Sequence, residues 1–217
     1  MGNVQRAGAR NALGIFGKVI EAIGNGELVY LAFYNVLWFL SCLPVVTIPP
    51  ATAALYVATR DMVQNDTHVG WREFGGLVWD NFRVGWRWAV MNLVIGLIFS
   101  VNLWFYSSIT NFFTMMLAAM LTGFLWAWII VQMYCFPVLL EQKNPSLRQA
   151  LRNAFVLCAK YPSFTFTLAI FTAIFLLIAY MLPFFVAIFS ISVVTFIYNH
   201  AVYFLVELER GEGESSA

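Results

Sequence analysis

Residues 88–140 read WAVMNLVIGLIFSVNLWFYSSITNFFTMMLAAMLTGFLWAWIIVQMYCFPVLL, 53 residues without one Asp, Glu, Lys or Arg. A helix that crosses the hydrocarbon layer needs about 20 apolar residues. The stretch therefore holds two crossings joined by a short turn at residues 107–114. A second charge-free stretch, 46 residues over 161–206, reads the same way with its turn at 181–183. The third, 28–59, is too long for one upright helix and too short for two comfortable ones.

The composition fits this reading. Of 217 residues 61% are hydrophobic and 11% charged, where a soluble domain carries about 25% charged residues. A mean hydropathy of +0.77 with Phe 21, Trp 8 and Tyr 9 describes lipid-facing helices with aromatic anchors at their ends. The first apolar run follows Arg6, Arg10 and Lys18, and no A-x-A-like cleavage site comes after it, so it reads as a retained helix and not a removed signal peptide.

The 28–59 stretch is broken by Pro44 and by the pair Pro49-Pro50. Proline ends a continuing helix, yet is well tolerated in a helix's first turn. One helix is expected over 27–43 and a second from Pro50 to about Gln64. The second is about 20 Å long at 1.5 Å per residue, against a hydrocarbon layer of about 30 Å. The expected unit is a helical hairpin with its kinked apex, 43–50, in or near the far leaflet. All twelve Lys and Arg residues then lie on the side of both termini, which the positive-inside rule makes cytoplasmic. A single tilted span over 28–59 would instead place the amino terminus outside.

Three segments between the charge-free stretches have helical amphipathic patterns. Over 11–23, Ile15, Phe16, Val19, Ile20 and Ile23 share a face. Over 71–87, Trp71, Phe74, Val78, Phe82 and Trp86 oppose Arg72, Asp80, Arg83 and Arg87, with Gly75-Gly76 weakening the helix. Over 146–160, Ser146 is placed as a cap, Leu147, Ala150, Leu151, Ala154 and Cys158 line one face, Arg148 and Arg152 stand one turn apart on the polar side, and Pro162 stops the helix. Such helices act as elbows that orient the next span or hold anionic lipid in the headgroup layer. The expected fold is thus all-α: a polytopic transmembrane helical bundle of about five full spans plus a short proline-broken helix, with cytoplasmic amphipathic elbows. It is one membrane domain, divided as an amphipathic segment 1–27, a broken hairpin 28–64, an elbow 65–87, a hairpin 88–140, an elbow 141–162, a hairpin 163–206 and a polar tail 207–217.

No catalytic constellation is present. His68 stands in a polar loop and His200 near the inner end of the last span, and there is no G-x-S-x-G, H-E-x-x-H or phosphate-binding glycine loop. Cys42, Cys135 and Cys158 lack ligand-like spacing, so no metal, cofactor or disulfide is expected. A net charge of +1 argues against a nucleic-acid partner. Ion-coupled transport needs ionisable groups at membrane depth, and the long hairpins offer only His200 near an end. Their neutral polar and small residues, Asn92, Asn102, Gln132, Gly96 and Gly123, serve helix packing or line a path for a neutral solute. The broken hairpin is the local candidate site: its unwound backbone is a ligand site or a structural corner satisfied by Asn35, Ser41 and Thr47.

The run Leu43-Pro44-Val45-Val46-Thr47-Ile48-Pro49-Pro50-Ala51-Thr52-Ala53-Ala54-Leu55-Tyr56 resembles the signature of the YesL family, bacterial membrane proteins catalogued as a domain of unknown function. Phe74 through Asn81-Phe82-Arg83 is similar to the aromatic and basic segment that follows it there. Phe136-Pro137-Val138-Leu139-Leu140 with 147–155 resembles the family's second elbow. Pro49 stands where the family has Gly before Pro, which points to a φ near −65°. The resemblance implies a multi-pass protein of the bacterial inner membrane, often encoded near carbohydrate-uptake and glycan-degradation genes, and it brings no established activity or catalytic residues. The expectation is a non-enzymatic accessory or regulatory component of carbohydrate uptake whose contacts are the lipid bilayer and sugar-uptake permease subunits. The candidate kinked site is Leu43, Pro44, Thr47, Pro49, Pro50, Ala54, Leu55 and Tyr56, and the candidate partner or anionic-lipid contacts are Arg83, Arg87, Arg148, Arg152 and Lys160. The alternative is an autonomous small transporter or channel for a neutral solute. The oligomeric state is open.

Overall fold

A computed structural model describes residues 7–109, 111–142 and 145–215. Arg6 and parts of the expected 107–114 turn and 207–217 tail lie outside the described residues, as does the side chain of Ile23. Every regular element among the described residues is a helix: α1 (Ala9–Gly24), α2 (Glu27–Ser41), a 3-10 turn (Val45–Thr47), α3 (Ile48–Asn65), α4 (Trp71–Asp80), α5 (Phe82–Ser107), α6 (Phe112–Leu140), α7 (Leu147–Lys160), α8 (Pro162–Met181) and α9 (Pro183–Ser215).

Among the described residues, four segments are long and apolar enough to cross a bilayer: α5 with 26 residues, α6 with 29, α8 with 20, and Phe189–Arg210 of α9 with 22. The protein is a multi-pass membrane helical bundle. The fifth apolar helix, α2, has 15 residues and so spans about 22 Å, short of a full crossing. It pairs with α3 across the proline corner instead of standing as a span of its own.

Burial separates the bundle into a packed middle and a lipid-facing edge. The apolar stretch of α9 is 67% buried inside the protein, against 0% for α5 and 6% for α6. Around α9 pack α1, α2, α3, α6 and α8. On α3 the inward side is built from Ala51, Ala53, Ala54 and Ala58, all fully buried, and small side chains allow helices to approach closely. Polar groups close the seam. The Asn199 amide donates to Tyr56 O at 2.9 Å and to Thr59 Oγ1 at 2.8 Å, while Asn35 Oδ1 accepts the Ser192 backbone N–H at 3.2 Å.

The charged-side helices take their places through their apolar faces. In α1, Ala12, Ile15 and Ala22 are buried, and Phe16 meets Phe171 of α8 at 5.1 Å. Gly26, at φ 80°, supplies the left-handed residue that turns α1 into α2, a conformation that costs glycine little.

The expected helix over 71–87 is two elements. Asn81 caps the end of α4 and its amide donates to Leu77 O at 2.9 Å, the kind of local side-chain competition that interrupts a helix. Arg83 and Arg87 consequently ride on the first turns of α5. Gly75-Gly76 does not interrupt α4. The expected Ser146 cap also differs: its side chain makes no capping bond, and Gln142 Oε1 accepts the Ser146 N–H at 2.9 Å. Pro162 both stops α7 and opens α8, as its missing N–H permits.

One contact sets the position of α5. A Cβ added at Gly85 would lie 2.8 Å from the carbonyl carbon and oxygen of Pro49 and from the nitrogen of Pro50. The neighbour is backbone, so it has no rotamer with which to give way. Gly96, on the same helix, has nothing within 4 Å of such a Cβ.

Replacing Gly85 by Ala is expected to destabilise the protein by about 1 to 3 kcal/mol through overpacking, read as a lower midpoint of thermal unfolding in mild detergent. Gly96→Ala should leave the midpoint unchanged or raise it, and equal loss in both would refute the close approach. Asn199→Ala should cost about 0.6 to 2 kcal/mol in the same assay, since it strips both α3 partners of their donor.

Candidate functional site

Backbone that leaves a helix frees N–H and C=O groups that need partners. Between α2 and α3 the partners are internal. The Thr47 hydroxyl lies within hydrogen-bond reach of both Ser41 O and Pro44 O; with one proton it donates to one of them at a time. The Thr47 N–H reaches Pro44 O at 2.9 Å. From α5, the Trp86 indole N–H donates to Val46 O at 3.0 Å. From α2, the Trp38 indole donates to Thr52 Oγ1 at 3.1 Å, and Thr52 in turn donates to Ile48 O at 2.9 Å. Left-handed φ occurs, among the described residues, only at Gly26 and Asp66, so the corner turns without it.

The signature residues fall into two sets. Leu43, Pro44, Val45, Val46 and Ile48 are exposed and form an apolar rim. Pro49, Pro50, Ala54, Leu55 and Tyr56 are buried, and Thr47 stands at the junction. Tyr56 stacks on Phe136 of α6 at 5.3 Å, and Trp88 of α5 meets the same ring edge-on at 4.7 Å. Of the three residues expected to satisfy the corner, Thr47 acts through its side chain and Ser41 through its carbonyl. Asn35 bonds to α9. Trp38, Trp86 and Gly85 were not anticipated. A lone glycine inside a helical pattern, as at Gly85, is the one sequence signal of such a close approach.

The neutral polar residues of the first long hairpin bond to one another and to two indoles, with Gln132 Nε2 buried and left without a hydrogen-bond partner. Gln132 Oε1 accepts from the Trp88 indole at 2.9 Å and from the Asn92 amide at 3.2 Å, and Asn92 Oδ1 accepts from the Trp128 indole at 3.0 Å. Asn102 turns back to Ile98 O at 2.7 Å. Gly96 and Gly123 have no neighbour within 4 Å of an added Cβ, so they do not bring helices together here.

The candidate cations are dispersed. Arg87 borders a small cavity of about 190 Å³ with Leu139 and Leu147, and Arg83 is exposed. Arg148 and Arg152 share one groove beneath α7. Lys160 ties to Glu209 at 2.7 Å, and the Tyr161 hydroxyl donates to the same carboxylate at 2.8 Å. His68 stacks on Tyr30 at 3.7 Å, and His200 packs edge-on against Phe196 at 4.6 Å. Among the described residues no three His, Cys, Asp or Glu side chains gather as metal ligands. Burial pushes the Cys158 thiol up to about 12, which disfavours its thiolate form.

Comparison with known proteins adds the family. The uncharacterized protein YteU of Bacillus subtilis (strain 168) is 32% identical over 198 residues, covering 86% of this chain and 86% of the relative. No solved structure matches the chain. A family model described as "Protein of unknown function, DUF624" matches residues 31–103, which run from α2 through the proline corner into α5. With likeness over that share of its length, the chain belongs to the DUF624 family of proteins of unknown function.

Proposed function

We propose that the protein is a non-enzymatic accessory or regulatory component of a carbohydrate uptake system, of YesL type, in the bacterial inner membrane with both termini cytoplasmic. The observation that carries this reading is a contrast. Much of the polarity at the corner and in the Asn92–Gln132 seam is engaged in hydrogen bonds between helices, Gln132 Nε2 being an exception. On the charged side, by contrast, α4 turns large side chains outward: Trp71 is 64% and Trp79 73% exposed, with Arg72 over the Trp71 ring at 4.9 Å and Arg83 just beyond. Tryptophan and arginine are the residues that dominate protein interfaces. The likeness to YesL proteins supplies the link to sugar uptake, and the twelve cations gathered outside the apolar stretches support the orientation.

Affinity purification of the full chain from native membranes in gentle detergent is expected to recover permease subunits of a sugar importer in fixed stoichiometry. Trp79→Ala combined with Arg83→Ala should lower that recovery about tenfold without reducing insertion. Recovery of the chain alone, together with sugar flux through it in liposomes, would replace this reading with autonomous transport. The orientation has its own test. In a chain whose three native cysteines are replaced, a cysteine at Asn25 should resist a membrane-impermeant maleimide in intact cells, and labelling there would turn the amino terminus outward.

A further inference from the structure

The groove beneath α7 joins two features that the sequence keeps apart. Its far walls are Phe99 of α5 and Phe124 and Trp128 of α6; its near edge is Arg148, Arg152 and Phe155 of α7. The volume is about 550 Å³, within the range of small-molecule sites. Counting 1.5 Å per residue back from Leu140, the α6 wall from Val131 to Phe124 lies roughly 13 to 24 Å along the span from its charged end. The groove thus enters the hydrocarbon layer, on the lipid-facing edge formed by α5 and α6.

At the mouth of this apolar slot stand two guanidinium groups. No acidic residue lines it, and among the described residues neither arginine has a carboxylate partner. Lys160, on the opposite flank of the same helix, does have one in Glu209. Arginine held near hydrocarbon without a counter-charge is costly, and its long stem reaches toward the headgroups to recover one. Side chains four residues apart on a helix lie about 5 to 6 Å from each other, a spacing that lets both forks grip a single phosphate.

We propose that this groove is a binding site for one anionic phospholipid, its phosphate bridged by Arg148 and Arg152 and one acyl chain lying along Phe99, Phe124 and Trp128. Charge complementarity selects the headgroup, and the opening onto the lipid-facing edge selects a lipid over a soluble anion. The site stands independently of the proposed role in sugar uptake.

Native mass spectrometry of the full chain, released from detergent containing phosphatidylglycerol or phosphatidylcholine, tests it. The expected result is one phosphatidylglycerol retained in preference to phosphatidylcholine. Arg148→Gln with Arg152→Gln should weaken that retention roughly thirtyfold, the product of two basic side chains each acting on an anionic lipid. Arg10→Gln, on α1 and outside the groove, should leave it unchanged. Ala127→Phe fills the slot without altering charge and should also reduce retention, which general surface attraction would not. Thermal unfolding of each variant confirms folding, and a variant that fails to fold is replaced by the single Arg152→Gln. Equal retention of the two lipids, or retention indifferent to both arginines, overturns the proposal. So does a lipid-free dimer that Ala127→Phe dissociates, since the occupant would then be a second copy.

Discussion

An interrupted helix frees carbonyls that need partners, and the packing of α5 against the α2–α3 corner supplies one of them. The corner between α2 and α3 draws the Thr47 hydroxyl from its own turn and the Trp86 indole N–H from α5, while the Trp38 indole of α2 ties to Thr52 of α3. For Trp86 to reach Val46 O, α5 must come up against Pro49 and Pro50, and only a residue without Cβ permits that distance. The prolines, the glycine and the tryptophans are therefore one device. The prolines create the need, and the glycine gives the approach that lets a tryptophan answer it.

The same economy runs through the rest of the membrane-embedded polarity. Asn199 bonds to α3, Asn35 to α9, and Asn92 and Gln132 to two indoles between α5 and α6. Each joins helices whose apolar surfaces alone have little preference for one another over lipid. These four residues thus act as fasteners, while the outward tryptophans of α4 and the arginine-lined slot under α7 are surfaces open to other molecules.

How much of this could be read beforehand follows the reach of each signal. Charge-free stretches and prolines are local, so the long apolar helices and the break between α2 and α3 were legible to within a few residues. The break at Asn81 was not, because amphipathic periodicity continues across it while the Asn81 amide bonds to Leu77 O. At the candidate site, Thr47 was legible as a local hydroxyl, but Trp86 acts from α5 and only the fold brings it in. The five candidate cations looked like one face. The structure divides them, because α7 turns Arg148 and Arg152 to one flank and Lys160 to the other.

The pairing of α3 with α9 also orders events in time. Asn199 and Tyr56 are 143 residues apart, and ribosomes extend a chain at about 5 to 20 residues per second, so roughly 7 to 30 s separate the emergence of the two partners. Through that interval the alanine face of α3 and the side chain of Asn35 lie in the membrane without the helix that covers them. Assembly of the middle is thus a post-insertion event, closed by α9, and whatever holds the early helices apart from other chains during the wait belongs to the biogenesis of this protein as much as its own contacts do.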